Sequence, residues 1–217
     1  MRFIALLLTA ILGGGARDSL KAARSISPAM RPASHAWGSH SDTRRRLGHW
    51  GKWLVQAEGA NKFLAQMDAD STRARFPVAM LSDVTAADVD LSVRFRPISG
   101  RVDQAAGLVW RYREDNYYVV RANALEDNIV VYKVENGKRT DLPVKGEGRT
   151  YGKKAEVPAE QWSTLRAVAN EPRFDVYFNG TKLYEVEDGT FTQAGRVGVW
   201  TKADSVTQFD DLTVVTR

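Results

Sequence analysis

Apolar residues recur at every second position from Trp50 onward, and no stretch keeps the i, i+3, i+4, i+7 spacing of an amphipathic helix. In Val89–Arg96 the alternation is strict, so Val89, Leu91, Val93 and Phe95 share one face while Asp90, Ser92, Arg94 and Arg96 share the other. That is the pattern of a half-buried antiparallel strand, and Pro97 is expected to end it. Further strands are expected at 107–113, 117–122, 129–134, 162–169, 174–178, 182–186, 197–201 and 209–215. Asn136-Gly137 and Asn179-Gly180 each offer the two positive φ values of a tight hairpin turn. Many short strands with turns between them and no helical segments predict an all-β fold, a two-sheet antiparallel jelly-roll sandwich. A short helix near Ala86 or Pro158–Gln161 would leave that architecture unchanged.

The domain begins after an N-terminal region of different composition. Met1-Arg2 is a positive end, Phe3–Leu12 is an apolar run of ten, and Gly13-Gly14-Gly15-Ala16 supplies small residues, so 1–16 reads as a secretory signal cleaved after Ala16. Ten apolar residues fall short of the roughly 20 that cross a bilayer as a helix, so no membrane span is expected, and the location is secreted or periplasmic. The rival reading is an organellar transit peptide, because Ser19–Leu47 is rich in Arg and Ser and poor in acids. Residues 17–49 read as a basic Ser/Pro-containing linker, expected to be disordered, and 50–217 as the β-sandwich domain.

Charge follows the same boundary. The 217-residue chain has 31 basic and 26 acidic residues, but the excess is local: seven against two from Arg17 to His49, and 23 against 24 from Trp50 to Arg217. A nearly neutral body has no general attraction for phosphate backbones, so nucleic acid is not expected as a partner. With no cysteine there is no disulfide, thiolate metal site or cysteine nucleophile. His35, His40 and His49 all precede the body, which leaves a Ser-His-Asp triad without its base.

Residues 110–123 are the densest aromatic and guanidinium segment of the chain and read as a hairpin. Alternation places Arg111 and Arg113 opposite Trp110 and Tyr112, and gathers Tyr117, Val119, Arg121 and Asn123 on one face of the next strand. If the arginine-bearing faces coincide, one surface carries Arg111, Tyr117, Arg121 and Asn123. Aromatic planes pack against sugar C–H faces, and charged or amide groups hold neighbouring hydroxyls, so this set suits a glycan. The competing reading makes Trp110, Tyr112 and Tyr118 core, with the arginines in salt bridges to Asp103, Glu114 or Glu126. Trp200 and Lys202 close a strand and open a loop, a position suited to a binding rim; alternatively Trp200 plugs the core. Glu185 and Glu187 share a strand face but read as solvated rather than as a catalytic pair. Asp115, Asp127, Asp210 and Asp211 could offer oxygen ligands, yet their spacing is not that of a Ca²⁺ loop. No metal or cofactor is therefore expected, with Ca²⁺ as the alternative.

Four strings, Gly100–Tyr112, Asn116–Glu126, Trp162–Arg166 and Gly195–Ser205, resemble bacterial exported proteins of the concanavalin A-like lectin and glucanase superfamily, in particular its 3-keto-disaccharide hydrolase domain group. The resemblance covers roughly Trp50 to Val215 and implies a curved jelly roll whose concave face handles carbohydrate. The Glu-x-Asp-x-x-Glu strand of family 16 glucanases is absent at Glu126-Asp127-Asn128 and at Glu185–Asp188. Three functions are expected in order: a glycan- or glycoside-binding domain using Arg111, Tyr117, Arg121, Asn123, Trp200 and Lys202; a glycoside-cleaving enzyme of the keto-sugar type, its catalytic residues not assigned; and a non-catalytic interaction module of the envelope.

Overall fold

The structure is a computed structural model that describes residues 51–217 and, as backbone, Arg24–Ser25 and Trp37–Gly38. The expected signal at 1–16 lies outside the described residues, as does the expected linker at 17–49 apart from those two residue pairs. The strands are β1 (Arg24–Ser25), β2 (Trp37–Gly38), β3 (Trp53–Glu58), β4 (Asn61–Gln66), β5 (Val78–Ala86), β6 (Val89–Ser99), β7 (Ala105–Arg113), β8 (Asn116–Asn123), β9 (Asn128–Glu135), β10 (Lys138–Asp141), β11 (Lys153–Lys154), β12 (Ser163–Asn170), β13 (Arg173–Phe178), β14 (Thr181–Glu187), β15 (Gly195–Trp200) and β16 (Val206–Thr216). Among the described residues there is no helix.

Two eight-stranded antiparallel sheets form the sandwich. The first runs β14-β13-β12-β6-β16-β4-β3 with β1 on β16, and the second runs β10-β9-β8-β7-β15-β5-β2 with β11 on β9. The alternation in β6 holds: Val89, Leu91, Val93 and Phe95 have no exposed surface. They meet Leu108, Trp110, Tyr118, Val120 and Val131 of the second sheet in one continuous core. Each such side chain contributes about 1.5–3 kcal/mol on leaving water. Both expected hairpin turns form, with φ of 50° and 74° at Asn136-Gly137 and 46° and 82° at Asn179-Gly180.

Two local expectations need correction. β6 does not stop at Pro97 but runs on to Ser99. β12 begins opposite Phe95, so the N–H that proline lacks falls where β6 has a neighbour on one side only. At the two places where a short helix would have been compatible with the sandwich, Pro158–Gln161 forms a turn and Ala86 ends a strand. In β7 the register shifts between Trp110 and Arg113, and Arg111 takes φ 51°. This bulge breaks the alternation, so Arg111 lies on the same face as Trp110, and Tyr112 crosses to the other.

Candidate functional site on the outer face of the second sheet

β8 is buried on both sides. Tyr118, Val120 and Ala122 face the first sheet, while Tyr117, Val119, Arg121 and Asn123 face outward into a second cluster with Val109, Val130, Tyr132, Val134 and Trp200. Five of the six expected site residues, Tyr117, Arg121, Asn123, Trp200 and Lys202, thus lie on one outward side of the sheet or its rim, but only Lys202 is more than marginally exposed, and Trp200 plugs the packed cluster rather than forming a binding rim.

Arg111 is the exception, and its bulge is the reason. Its guanidinium lies 5.8 Å from the Tyr118 ring and 5.7 Å from that of Phe174, both in the inter-sheet core. Nε donates to the Ala87 carbonyl at 2.7 Å, Nη1 to that of Phe191 at 2.6 Å, and Nη2 to Asp88 at 3.0 Å. With every arm engaged and its side chain fully buried, Arg111 fastens loops at the sandwich edge and cannot share a ligand with Arg121.

Arg121 sits on the outer face between two tyrosines, 5.6 Å from the Tyr132 ring and 5.8 Å from Tyr151. It pairs with both oxygens of Glu126, at 3.3 and 2.9 Å, and donates to Asn128 Oδ1 at 2.5 Å. Burial disfavours ionisation of Glu126, but the Arg121 guanidinium outweighs it and holds the carboxyl below the usual range. Asn123 donates to Asp103 Oδ1 at 2.8 Å and accepts from the Leu125 N–H. Asp103 Oδ2 takes Lys202 Nζ at 2.5 Å. Burial pushes the Asp103 carboxyl up even with that ammonium beside it. One end of the face is therefore a polar cluster of Asp103, Asn123, Lys202, Arg121, Glu126 and Asn128.

The loop carrying Lys202 is built to hold it there. Asp204 accepts the backbone N–H groups of Arg101, Val102 and Asp103. Burial raises its carboxyl, and those donors more than reverse the effect. Ser205 Oγ accepts from the Ala105 N–H and donates to the Lys202 carbonyl. On the far side Arg75, itself buried and paired with Asp68, donates to the Ala203 carbonyl.

The other end of the face is aromatic. Trp200 is fully buried and stacks on Phe76 with centroids 5.6 Å apart. It lies over Gly107, where a Cβ would come within 3.2 Å of its ring, so glycine is what leaves it room. Arg139 reaches in from β10, 4.3 Å from the Tyr132 centroid, 5.3 Å from Phe76 and 5.9 Å from Trp200. Tyr117 continues the row to Tyr112 at 5.2 Å, and Arg196 covers Tyr112 at 5.3 Å. Beside them Tyr112, Arg113, Glu114, Asn116 and Arg196 line an open recess of about 460 Å³. Burial pushes the Tyr117 and Tyr132 phenols up, which keeps both neutral.

Sequence reasoning missed Phe76, Glu126, Asn128, Tyr132, Arg139 and Tyr151 as members of this face. For two of them the signal was present. Tyr132 alternates with Val130 and Val134, and the two-residue turn at Asn136-Gly137 fixes Arg139 opposite Val134. Among the described residues no three acidic or histidine side chains gather as a metal site. Asp127 and Asp210 instead accept from Val157 N–H and Asn61, and Asp211 pairs with Arg94. No helix of the described residues is long and apolar enough to cross a membrane.

No family model and no curated protein matches the chain. Solved structures do resemble its fold. The carbohydrate binding module CBM66 from Bacillus subtilis matches with a TM-score of 0.62 at 20% identity, covering 76% of this chain and 92% of that one. A protein of unknown function with a galectin-like fold from Bacillus subtilis matches at 0.53, with 13% identity over 77% of this chain and 89% of that one. A mutant of the GH43 protein BlXynB from Bacillus licheniformis matches at 0.51 and 16% identity, over 71% of this chain but only 33% of that protein. These likenesses establish the fold class: an all-β, two-sheet antiparallel jelly-roll sandwich of the concanavalin A-like, galectin-like kind.

Proposed function

We propose that the protein is an exported carbohydrate-binding module that holds a glycan against the outer face of its second sheet. The observation that carries this reading is the composition of that face: rings of Tyr112, Tyr151 and Phe76, each partly or fully exposed, lie beside guanidinium, ammonium, carboxylate and amide groups fixed by their neighbours. Flat rings match sugar C–H faces, and prepositioned polar groups match hydroxyls at little further entropic cost. The fold shared with the CBM66 module supports the same reading, and the N-terminal apolar run supports export. The test is a thermal-shift and glycan-array screen of the full chain, followed by chromatography of any hit. A reproducible shift with the sugar recovered intact supports the reading; no response to any glycan overturns it.

Glycoside cleavage, the activity of the keto-disaccharide hydrolase group, is the second reading. It draws on Asp103 and Glu126, whose environments push one carboxyl up and the other down, as acid and base pairs require. Against it, both Asp103 oxygens are already occupied, by Asn123 and Lys202. Release of reducing sugar that is lost in Glu126→Gln would favour cleavage over binding.

A further inference from the structure

Salt bridges are distributed unevenly over the molecule. Of the 14 arginines in residues 51–217, nine pair with a carboxylate: Arg75, Arg94, Arg96, Arg111, Arg121, Arg149, Arg166, Arg173 and Arg217. The outer face of the first sheet is typical, with Arg94 on Asp211, Arg96 on Glu58 and Arg166 on Asp90. Three of the five that make no such pair among the described residues, Arg113, Arg139 and Arg196, sit on or beside the aromatic end of the candidate site.

Arg113 is exposed, but the setting of Arg139 and Arg196 is not that of solvated charge. Arg139 is half-buried between three rings, and its Nη1 is buried with no hydrogen-bond partner among the described residues. Arg196 lies over the Tyr112 ring, 5.3 Å from its centroid, and with Arg113 it lines the recess. Glu114 lines the recess too, but makes no salt bridge with either arginine among the described residues. Tyr117 and Arg139 flank Val134 in one cross-strand row, so the tilted Tyr112–Tyr117 pair has, toward each end, a guanidinium without an ion pair among the described residues. Arg121 Nε, fully buried on the same face, is likewise a donor without a partner among the described residues. The unmet need of this surface is for acceptors.

Resting on the glycan-binding reading above, we infer that the ligand is an acidic glycan, its carboxylate or sulfate groups taken by Arg139, Arg196 and Arg113 while its sugar rings lie along Tyr112. A planar anionic group accepts two parallel guanidinium hydrogen bonds, which a hydroxyl cannot do with the same strength. Rings that already orient the guanidiniums reduce the ordering cost of binding.

The test is calorimetric titration of the full chain with matched polymers: polygalacturonate against its fully methyl-esterified form, and dextran sulfate against dextran. Binding to a charged polymer at least tenfold tighter than to its neutral partner, weakening as salt rises, supports the inference. The polygalacturonate arm marks carboxylate, the dextran sulfate arm sulfate. In Arg196→Gln, on the open recess and without a salt bridge to lose, affinity for the charged polymer should fall about tenfold with the melting temperature unchanged. Arg139→Lys, which keeps the charge but loses the fork, should fall similarly. Equal binding of charged and neutral polymers, or no loss in Arg196→Gln, overturns the acidic-glycan inference and leaves the glycan-binding reading standing. Binding of neutral oligosaccharides alone does the same. No binding of any glycan in the screen overturns both.

Discussion

Arg111 donates from Nε, Nη1 and Nη2 to Ala87, Phe191 and Asp88 while covered by Tyr118 and Phe174. Truncation would leave two carbonyls without donors and Asp88 without its counter-ion. Arg111→Ala is therefore expected to lose about 3 kcal/mol of stability in chemical denaturation, with glycan affinity unchanged in whatever fraction folds. Lys202 works differently, because its partner is a carboxylate that burial already disfavours as an anion. In Lys202→Met, Asp103 would stay buried without its ammonium, and its folded-state pKa would rise further above the unfolded one. The folded state then holds a proton the unfolded state has released, so stability falls as pH rises between the two values. The variant should show its largest deficit at neutral pH and recover on acidification toward about pH 4, the ordinary aspartate range. A deficit that does not change with pH would mean that Lys202 acts only through packing.

Elements were legible in the sequence where period and turn chemistry agreed. β6 and the two Asn-Gly hairpins follow from alternation and from the need for positive φ. At Gly180, φ is 82° and a Cβ would meet nothing within 4 Å, so Gly180→Ala isolates the backbone conformation. It should cost about 1 kcal/mol by denaturant titration with an unchanged slope. β1, β2, β3, β4, β5, β10 and β11 were not foreseen: β1, β2 and β11 have only two residues each, β3 exposes Leu54 and Val55, and the β5 pairing is interrupted by a register shift. The site was legible in part. Tyr117, Arg121 and Asn123 are brought together by the regular alternation of β8. Arg111 was misplaced because one bulged residue reverses the face of everything local to it, and nothing in Trp110-Arg111-Tyr112-Arg113 marks the bulge. Gly195 does bear on it, for a Cβ there would meet the Arg111 backbone at 2.4 Å. Phe76 and Tyr151 reach the face from long loops, which carry no period to read.

The whole molecule presents two unlike outer surfaces. On the first sheet Arg94 and Arg96 flank Trp162 at 5.0 and 4.9 Å, but both guanidiniums are also committed to carboxylates. On the second, rings and unpaired donors coincide. Under the proposed function only the second surface holds sugar, and each face offers an aromatic residue to remove. Tyr151 is 43% exposed beside Arg121 and Tyr132, and Trp162 is half-buried on the opposite side. The most direct measurement is calorimetric titration of wild type, Tyr151→Ala and Trp162→Ala with the oligosaccharide that gives the largest thermal shift. Tyr151→Ala should weaken binding by about tenfold, with Trp162→Ala indistinguishable from wild type. Loss of binding in Trp162→Ala with Tyr151→Ala unaffected would place the sugar on the first sheet and contradict the account.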